Sequence, residues 1–152
     1  CMPTEAQQIF ANLVANSIDA MSRKGRLLIR LRASRDWRNR TVEGMRVTFC
    51  DTGSGIDRET MRHIFEPFFS TKPDTGTGLG LWVVAQLVER HNGQVRVWSS
   101  LRGQARGTVF SIFLPTAQPV AESAARDAGQ GRETQAAQGT INAVSNSVRM
   151  VQ

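Results

Sequence analysis

Mostly apolar residues recur at helical spacing near the start of the chain, where Ile9, Phe10, Leu13, Val14, Ser17, Ile18 and Met21 share one side, Ser17 being the polar member. That spacing predicts a helix over residues 4–21, with Thr4 as N-cap, Gln7 completing a capping box and Gly25 beyond it as a stop. The period then drops to two. In Leu28-Ile29-Arg30-Leu31-Arg32-Ala33 charged and apolar residues alternate, which predicts a strand over 27–33 with one face buried and one solvated. A second strand is expected over 45–50, joined to the first by a polar hairpin loop from Ser34 to Arg40. A short helix from Arg58 to Ile64 follows, with Asp57 a candidate N-cap. The stretch from Phe65 to Gly80 holds two prolines and three glycines and has little periodicity, so it reads as loop. Leu81, Val84, Leu87 and Val88 then mark a helix ending near His91-Asn92, with Gly93 as its C′ residue. Strands are expected over 94–98 and 108–114, the second stopped by Pro115.

Helices at both ends of two strand pairs predict a two-layer α/β sandwich over residues 1–115. A chain of 152 residues with 40% apolar content suits one domain of this kind. Past Pro115 the composition shifts to Ala, Gln, Gly, Ser and Thr, too poor in large apolar groups to offset the entropy of ordering. Residues 116–152 are therefore expected to be a linker or disordered tail, with a short Ala-rich helix as the alternative. Two cysteines, Cys1 and Cys50, do not make a disulfide framework, and no apolar run approaches the roughly 20 residues of a membrane span. A cytoplasmic location is expected for this chain, and a parent protein could still carry an anchor elsewhere.

The net charge of +6 is concentrated between residues 22 and 46, where nine basic residues face two acids, Asp36 and Glu43. Alternation with apolar residues favours a solvated strand face and hairpin over a nucleic-acid surface, and an acidic partner is the second reading.

Four short elements carry the candidate chemistry. Asn12 and Asn16 lie four residues apart on the first helix, so their carboxamides share a ridge with Asp19, away from the centre of the apolar stripe. A carboxamide oxygen suits a Mg²⁺ ion that is otherwise held by water and phosphate. Asp51 ends a strand and precedes Gly53 and Gly55, where a carboxylate could accept the exocyclic amino group of adenine and the glycines allow close backbone approach. Ile56 follows directly. Phe65, Phe68 and Phe69 could anchor a lid, or serve as ordinary core aromatics. Gly76-Thr77-Gly78-Leu79-Gly80 runs into a helix, so its N–H groups form an anion site suited to a triphosphate. Lys72 could reach a phosphate, or be solvated.

In this order the elements resemble the N box, first glycine box, F box and second glycine box of the GHKL superfamily. They look most like the catalytic ATP-binding domain of bacterial sensor histidine kinases, nearest the nitrogen-regulation and C4-dicarboxylate type. Gly107-Thr108-Val109-Phe110 resembles a further family element near the adenine. The resemblance covers about residues 3–115 and implies the Bergerat ATP-binding fold, with helices on one face of a mixed sheet. It also implies ATP and Mg²⁺ as cofactors. Asn16 is implied as the Mg²⁺ ligand, with Asn12 and Lys72 beside it at the catalytic centre. Asp51, Gly53, Gly55, Ile56, Phe69, Thr77, Gly78, Leu79, Gly80 and Thr108 are implied to hold the nucleotide.

The ATPases of the superfamily carry a Glu at the position of Asn12, where it activates water. An amide cannot take that proton, so transfer to protein is favoured over hydrolysis. The implied partner is a histidine-bearing dimerisation domain, with a response regulator reached indirectly; neither nucleic acid nor membrane is an expected partner of this chain. His63 and His91 resemble structural positions rather than the acceptor. The strand that the family places before its N box is not found, so the domain is expected to lack its first strand and with it one edge of the sheet. A Ser/Thr kinase of the anti-sigma-factor type and a non-catalytic nucleotide-binding or interaction module are the alternatives.

Overall fold

A computed structural model describes residues 3–22, 24–72, 76–103, 106–116 and 148–150. Its elements are α1 (Pro3–Ala20), β1 (Leu27–Arg35), β2 (Glu43–Asp51), α2 (Arg58–His63), α3 (Gly80–Arg90), β3 (Gln94–Ser100), β4 (Gly107–Pro115) and β5 (Val148–Met150). The sheet order is β1-β2-β4-β3-β5. Two antiparallel hairpins, β1–β2 and β3–β4, join through the antiparallel pair β2–β4, and β5 adds in parallel to β3, so the sheet is mixed.

The core follows from the register. Val47, Ile112 and Val95 stand in one row across the sheet, and Phe49, Phe110 and Val97 in the next. Against these rows α1 sets Ile9 and Leu13, and α3 sets Val84 and Val88, all buried. Each such side chain contributes about 1.5–3 kcal/mol by leaving water. Phe10 closes edge-on against Phe49 at 5.2 Å between ring centroids. The two-layer α/β sandwich expected from the sequence is thus formed, with both long helices on one face. Among the described residues, no helix is long and apolar enough to cross a membrane.

Several boundaries differ from the sequence expectation. Helix α1 starts at Pro3, which puts Thr4 inside the first turn instead of at the cap; a proline is well suited to that first position because its missing N–H has no helical partner there. The C′ residue of α3 is Asn92, not Gly93. Asn92 adopts φ +53° and donates its N–H to the Glu89 carbonyl, while the Gly93 N–H reaches back to Val88. This is the Schellman pattern, shifted by one residue. Gly93 is needed for space, since a Cβ there would sit 2.5 Å from the Phe113 carbonyl oxygen. The connection from Ser34 to Arg40 is not simply a solvated loop. Strand β1 runs on to Arg35, Asp36 is buried and accepts both side-chain hydrogen bonds of Gln94, and Trp37 lies edge-on to Phe113 with the guanidinium groups of Arg46 and Arg96 over its ring.

The expected tail from residue 116 is also changed at one place. Val148–Met150 forms β5 on the outer edge of β3, in register with Val95–Val97, whereas 117–147 lie outside the described residues.

The turn after β2 depends on one glycine. Gly55 adopts φ +74°, and a Cβ on it would overlap the Ser100 carbonyl oxygen at the end of β3. Gly55→Ala is expected to lower stability by about 2 kcal/mol or more, read by urea denaturation, because strain and overlap add. An unchanged midpoint would mean that the turn relaxes freely.

The ends of the two long helices are clasped by Glu5, which accepts hydrogen bonds from Arg90 at 2.8 Å and shares one with His91 at 2.6 Å. The bond to His91 holds the Glu5 carboxyl below its ordinary value of 4.5. A group depressed in the folded state stabilises above its unfolded value and loses that contribution as pH falls through the folded one. Thermal stability should therefore fall on acidification below about pH 4.5, and Glu5→Gln should flatten that part of the curve. Superimposable profiles would show that the clasp does not contribute.

Candidate nucleotide site

A cavity of about 520 Å³ opens between α1, the turn after β2, α2 and the segment leading into α3. Its walls include Asn12, Asn16 and Asp19 from α1, Ser54 to Asp57 from the turn, and Phe69 to Lys72, Gly76 to Gly78, Gly80 and Leu81 from the other side. The helical spacing that put Asn12 and Asn16 on one ridge also aims that ridge at the start of α3. A Cβ on Gly80 would lie 3.4 Å from Asn12 Oδ1 and 4.0 Å from Asn16 Nδ2, so both carboxamides face that helix end at van der Waals range. The Asn16 Nδ2 atom is buried without a hydrogen-bond partner. Leu79 gives α3 no side-chain cap, so its first-turn N–H groups remain open to an anion.

Gly78 adopts φ +67° and packs so closely on the Phe68 backbone that a Cβ would overlap it. Phe68 is itself in the left-handed region at φ +66°, with its side chain 77% exposed. The two residues lock the F-box segment onto the glycine loop through their backbones. Lys72 is partly exposed and paired: its Nζ donates to Asp19 Oδ2 at 2.7 Å and links this segment to α1.

Asp51 lies behind the cavity wall, 4% exposed. Its Oδ1 accepts the N–H groups of Gly53 at 2.9 Å and Thr108 at 3.1 Å, while among the described residues Oδ2 meets only the Ser17 hydroxyl at 3.5 Å. One oxygen is fully engaged and the other retains acceptor capacity. Among the residues singled out from the sequence, Asn12, Asn16, Gly55, Ile56, Phe69, Lys72, Thr77, Gly78 and Gly80 line the cavity. Asp51, Gly53, Leu79 and Thr108 are outside its lining; Gly53 and Thr108 donate to Asp51, and Leu79 stands at the N-cap of α3. His63 and His91 are outside its lining; the first meets Glu66 at 2.9 Å and the second clasps Glu5.

Several contributors were not singled out from the sequence. Ser99 accepts the Ile56 N–H at 2.7 Å, donates to the Gly107 carbonyl and stands 3.2 Å from the Thr108 hydroxyl, so it joins the turn to β4. Nothing in the local pattern marks it. Ser17 interrupts the apolar stripe of α1 at a buried position, and that interruption was a readable signal. Asp57 was expected only as a cap. It does cap α2, accepting from Glu59 and Thr60 with its carboxyl held below the usual range chiefly by Thr60, and it also lines the cavity.

Residues 2–118 match the family described as "Histidine kinase-, DNA gyrase B-, and HSP90-like ATPase". Sensor histidine kinase ZraS of Klebsiella oxytoca is 36% identical over 113 residues, covering 74% of this chain and 22% of that protein. Sporulation kinase E of Bacillus subtilis is 32% identical over 122 residues, covering 80% of this chain and 15% of that protein. Among solved structures, a mycobacterial sensor histidine kinase, MprB, superposes with a TM-score of 0.61 at 30% identity, covering 74% of this chain and 70% of that one. Full-length ShkA in complex with AMPPNP superposes with a TM-score of 0.56 at 28% identity, covering 76% of this chain and 23% of that one. The chain spans about a fifth of the length of ZraS. With the paired carboxamides, the open start of α3 and the sandwich that holds them, this chain belongs to the histidine kinase-, DNA gyrase B- and HSP90-like ATPase family.

Proposed function

We propose that this domain binds Mg·ATP between α1 and α3 and presents the γ-phosphate to a histidine on a separate dimerisation domain, from which a response regulator would receive it. The observation that carries the reading is the pair of carboxamides facing Gly80. Water attack needs a base, and an amide cannot serve as one. The two aspartates in the cavity wall are already engaged, Asp19 by Lys72 and Asp57 by the first turn of α2. An acceptor that brings its own nucleophile fits such a site better than water does.

The buried, unpartnered end of the Asn16 carboxamide supports its role as the Mg²⁺ ligand. Which end of an amide is oxygen follows from its partners, so a bound cation would take the oxygen. Among the described residues no group of three His, Cys, Asp or Glu could cage a metal. An ion at Asn16 would therefore complete its shell with phosphate oxygens and water, as Mg²⁺ commonly does, and neutralise charge on the transferring group. The open N–H groups at the start of α3, with Gly78 and Thr77 before it, would hold the phosphates. Asp51 Oδ2 would accept the adenine amino group, with Gly53, Gly55 and Ile56 against the base and Thr108 fixing the other oxygen. Lys72 would leave Asp19 for phosphate, and Phe69 would close the lid side. An ATP-dependent role of this kind fits a cytoplasmic location.

The test is transfer of label from γ-labelled ATP with Mg²⁺ to a dimerisation domain from a related sensor kinase, giving acid-labile phosphohistidine. Binding of ATP with no labelled histidine, or acid-stable label only, would sink the proposal. Asn16→Ala should abolish transfer while leaving the melting temperature nearly unchanged, because the side chain lies off the packing stripe; undiminished transfer would remove Asn16 as the Mg²⁺ ligand. Asp51→Asn should weaken ATP binding by about 1–3 kcal/mol and narrow its preference over GTP, measured by calorimetric titration. Equal affinity of the unmutated protein for the two nucleotides would contradict the role of Asp51.

A further inference from the structure

Strand β1 forms one margin of the sheet: β2 takes one of its edges, and among the described residues no strand takes the other. It is nine residues long, unbroken in register from Leu27 to Arg35, and contains no proline. An edge of this kind offers a row of N–H and C=O groups to any added strand.

The side chains of β1 divide by face. Ile29 stands opposite Phe49 and Leu31 opposite Val47, so both point to the helix layer. They are nevertheless 43% and 60% exposed, because the helices pack over the inner strands and leave β1 bare. Arg30 and Arg32 point to the other face, opposite Thr48 and Arg46. There the Arg46 Nε is buried without a hydrogen-bond partner, and burial together with Arg32, Arg96 and Arg40 pushes that guanidinium below its usual range. The two acids of this region are occupied: Gln94 holds Asp36, and Arg35 pairs with Glu43. Asp36 and the Trp37 ring offset part of the charge at Arg46, whereas Arg30 and Arg32 stand exposed at the margin of the sheet.

We propose that the open edge of β1 takes an extended segment of an acidic partner protein in which carboxylates alternate with apolar residues. The carboxylates face Arg30 and Arg32, and the apolar residues cover Ile29 and Leu31. Main-chain pairing supplies affinity, and the alternation supplies specificity. A second copy of the chain is a poor occupant, since paired β1 edges would set arginines against arginines. Nucleic acid would use the arginines alone and leave both the apolar face and the strand edge unsatisfied. Edge arginines commonly ward off self-pairing; here they also select the sign of what may pair.

The full chain is titrated with a labelled synthetic peptide alternating glutamate with valine over the length of β1. Amide hydrogen exchange is followed in parallel. Binding should protect β1 amides and weaken about tenfold or more in the double variant Arg30→Glu/Arg32→Glu, whose melting temperature checks the fold. The same peptide N-methylated at alternate residues, tested on the unmodified protein, should bind about tenfold more weakly or worse, because one of its edges can no longer pair. Equal binding of the methylated peptide, no protection on β1, or displacement of the peptide by a single-stranded oligonucleotide that protects no β1 amide would each overturn the proposal. Self-association through β1 without peptide would overturn it as well.

Discussion

A single buried carboxylate holds the site together. Asp51 ends β2, yet its hydrogen bonds reach the glycine turn through Gly53, β4 through Thr108 and α1 through Ser17. A charge removed from water must be satisfied locally, and hydrogen bonds to an ionised group are worth about 1.5–3 kcal/mol each. The requirement fixes where the turn can go. It also explains the tight packing around it: a Cβ on Gly53 would press on the Ala20 backbone, and one on Gly107 would overlap the Asp51 carbonyl. Helix α1, the turn and β4 therefore meet at one geometry, and the cavity inherits that geometry as its floor.

The second constraint is the approach of α1 to the start of α3. Glu5 clasps their far ends through Arg90 and His91, and apolar packing of Leu13 and Val84 fills the middle. Near the cavity the contact becomes polar, with two carboxamides against a glycine. Any side chain on residue 80 would enter that contact, and any carboxylate at residue 12 would bring a base to it. The chemical character of the site is set by two positions that contribute little to the core.

Much of this was legible before the structure. Helical spacing at Ile9, Leu13 and Ser17 reported a real buried face, because burial on one side imposes that period directly. Alternation along 28–33 marked a strand correctly, but not the buried face expected of it: Ile29 and Leu31 turn toward the helix layer and stay exposed, because the helices pack over the inner strands. The ordered glycine and asparagine motifs located the cavity because close backbone approach restricts residue type there. What was not legible depends on contacts distant in sequence. The end of α3 shifted by one residue because Asn92 can adopt the left-handed conformation, while Gly93 answers to crowding from Phe113. The loop after β1 looked polar, yet Asp36 is buried by Gln94, 58 residues away. Strand β5 has no signal of its own; three residues acquire strand character only from the edge of β3. Ser99 likewise owes its place to the turn after β2.

The ion pair between Lys72 and Asp19 joins residues 53 apart in sequence across the cavity wall. An incoming phosphate that reaches the ammonium does not meet a free cation. It would compete with a carboxylate that already stands largely in water. Part of the Coulombic gain is cancelled, so affinity at this point becomes a difference between two anions competing for one cation. Such an exchange is less sensitive to ionic strength than attraction to a bare lysine, since salt screens both pairs alike. Both partners are well exposed, 43% and 57%, so the pair is a weak latch that opens and closes in water, and phosphate at Lys72 would shift that balance toward the open form.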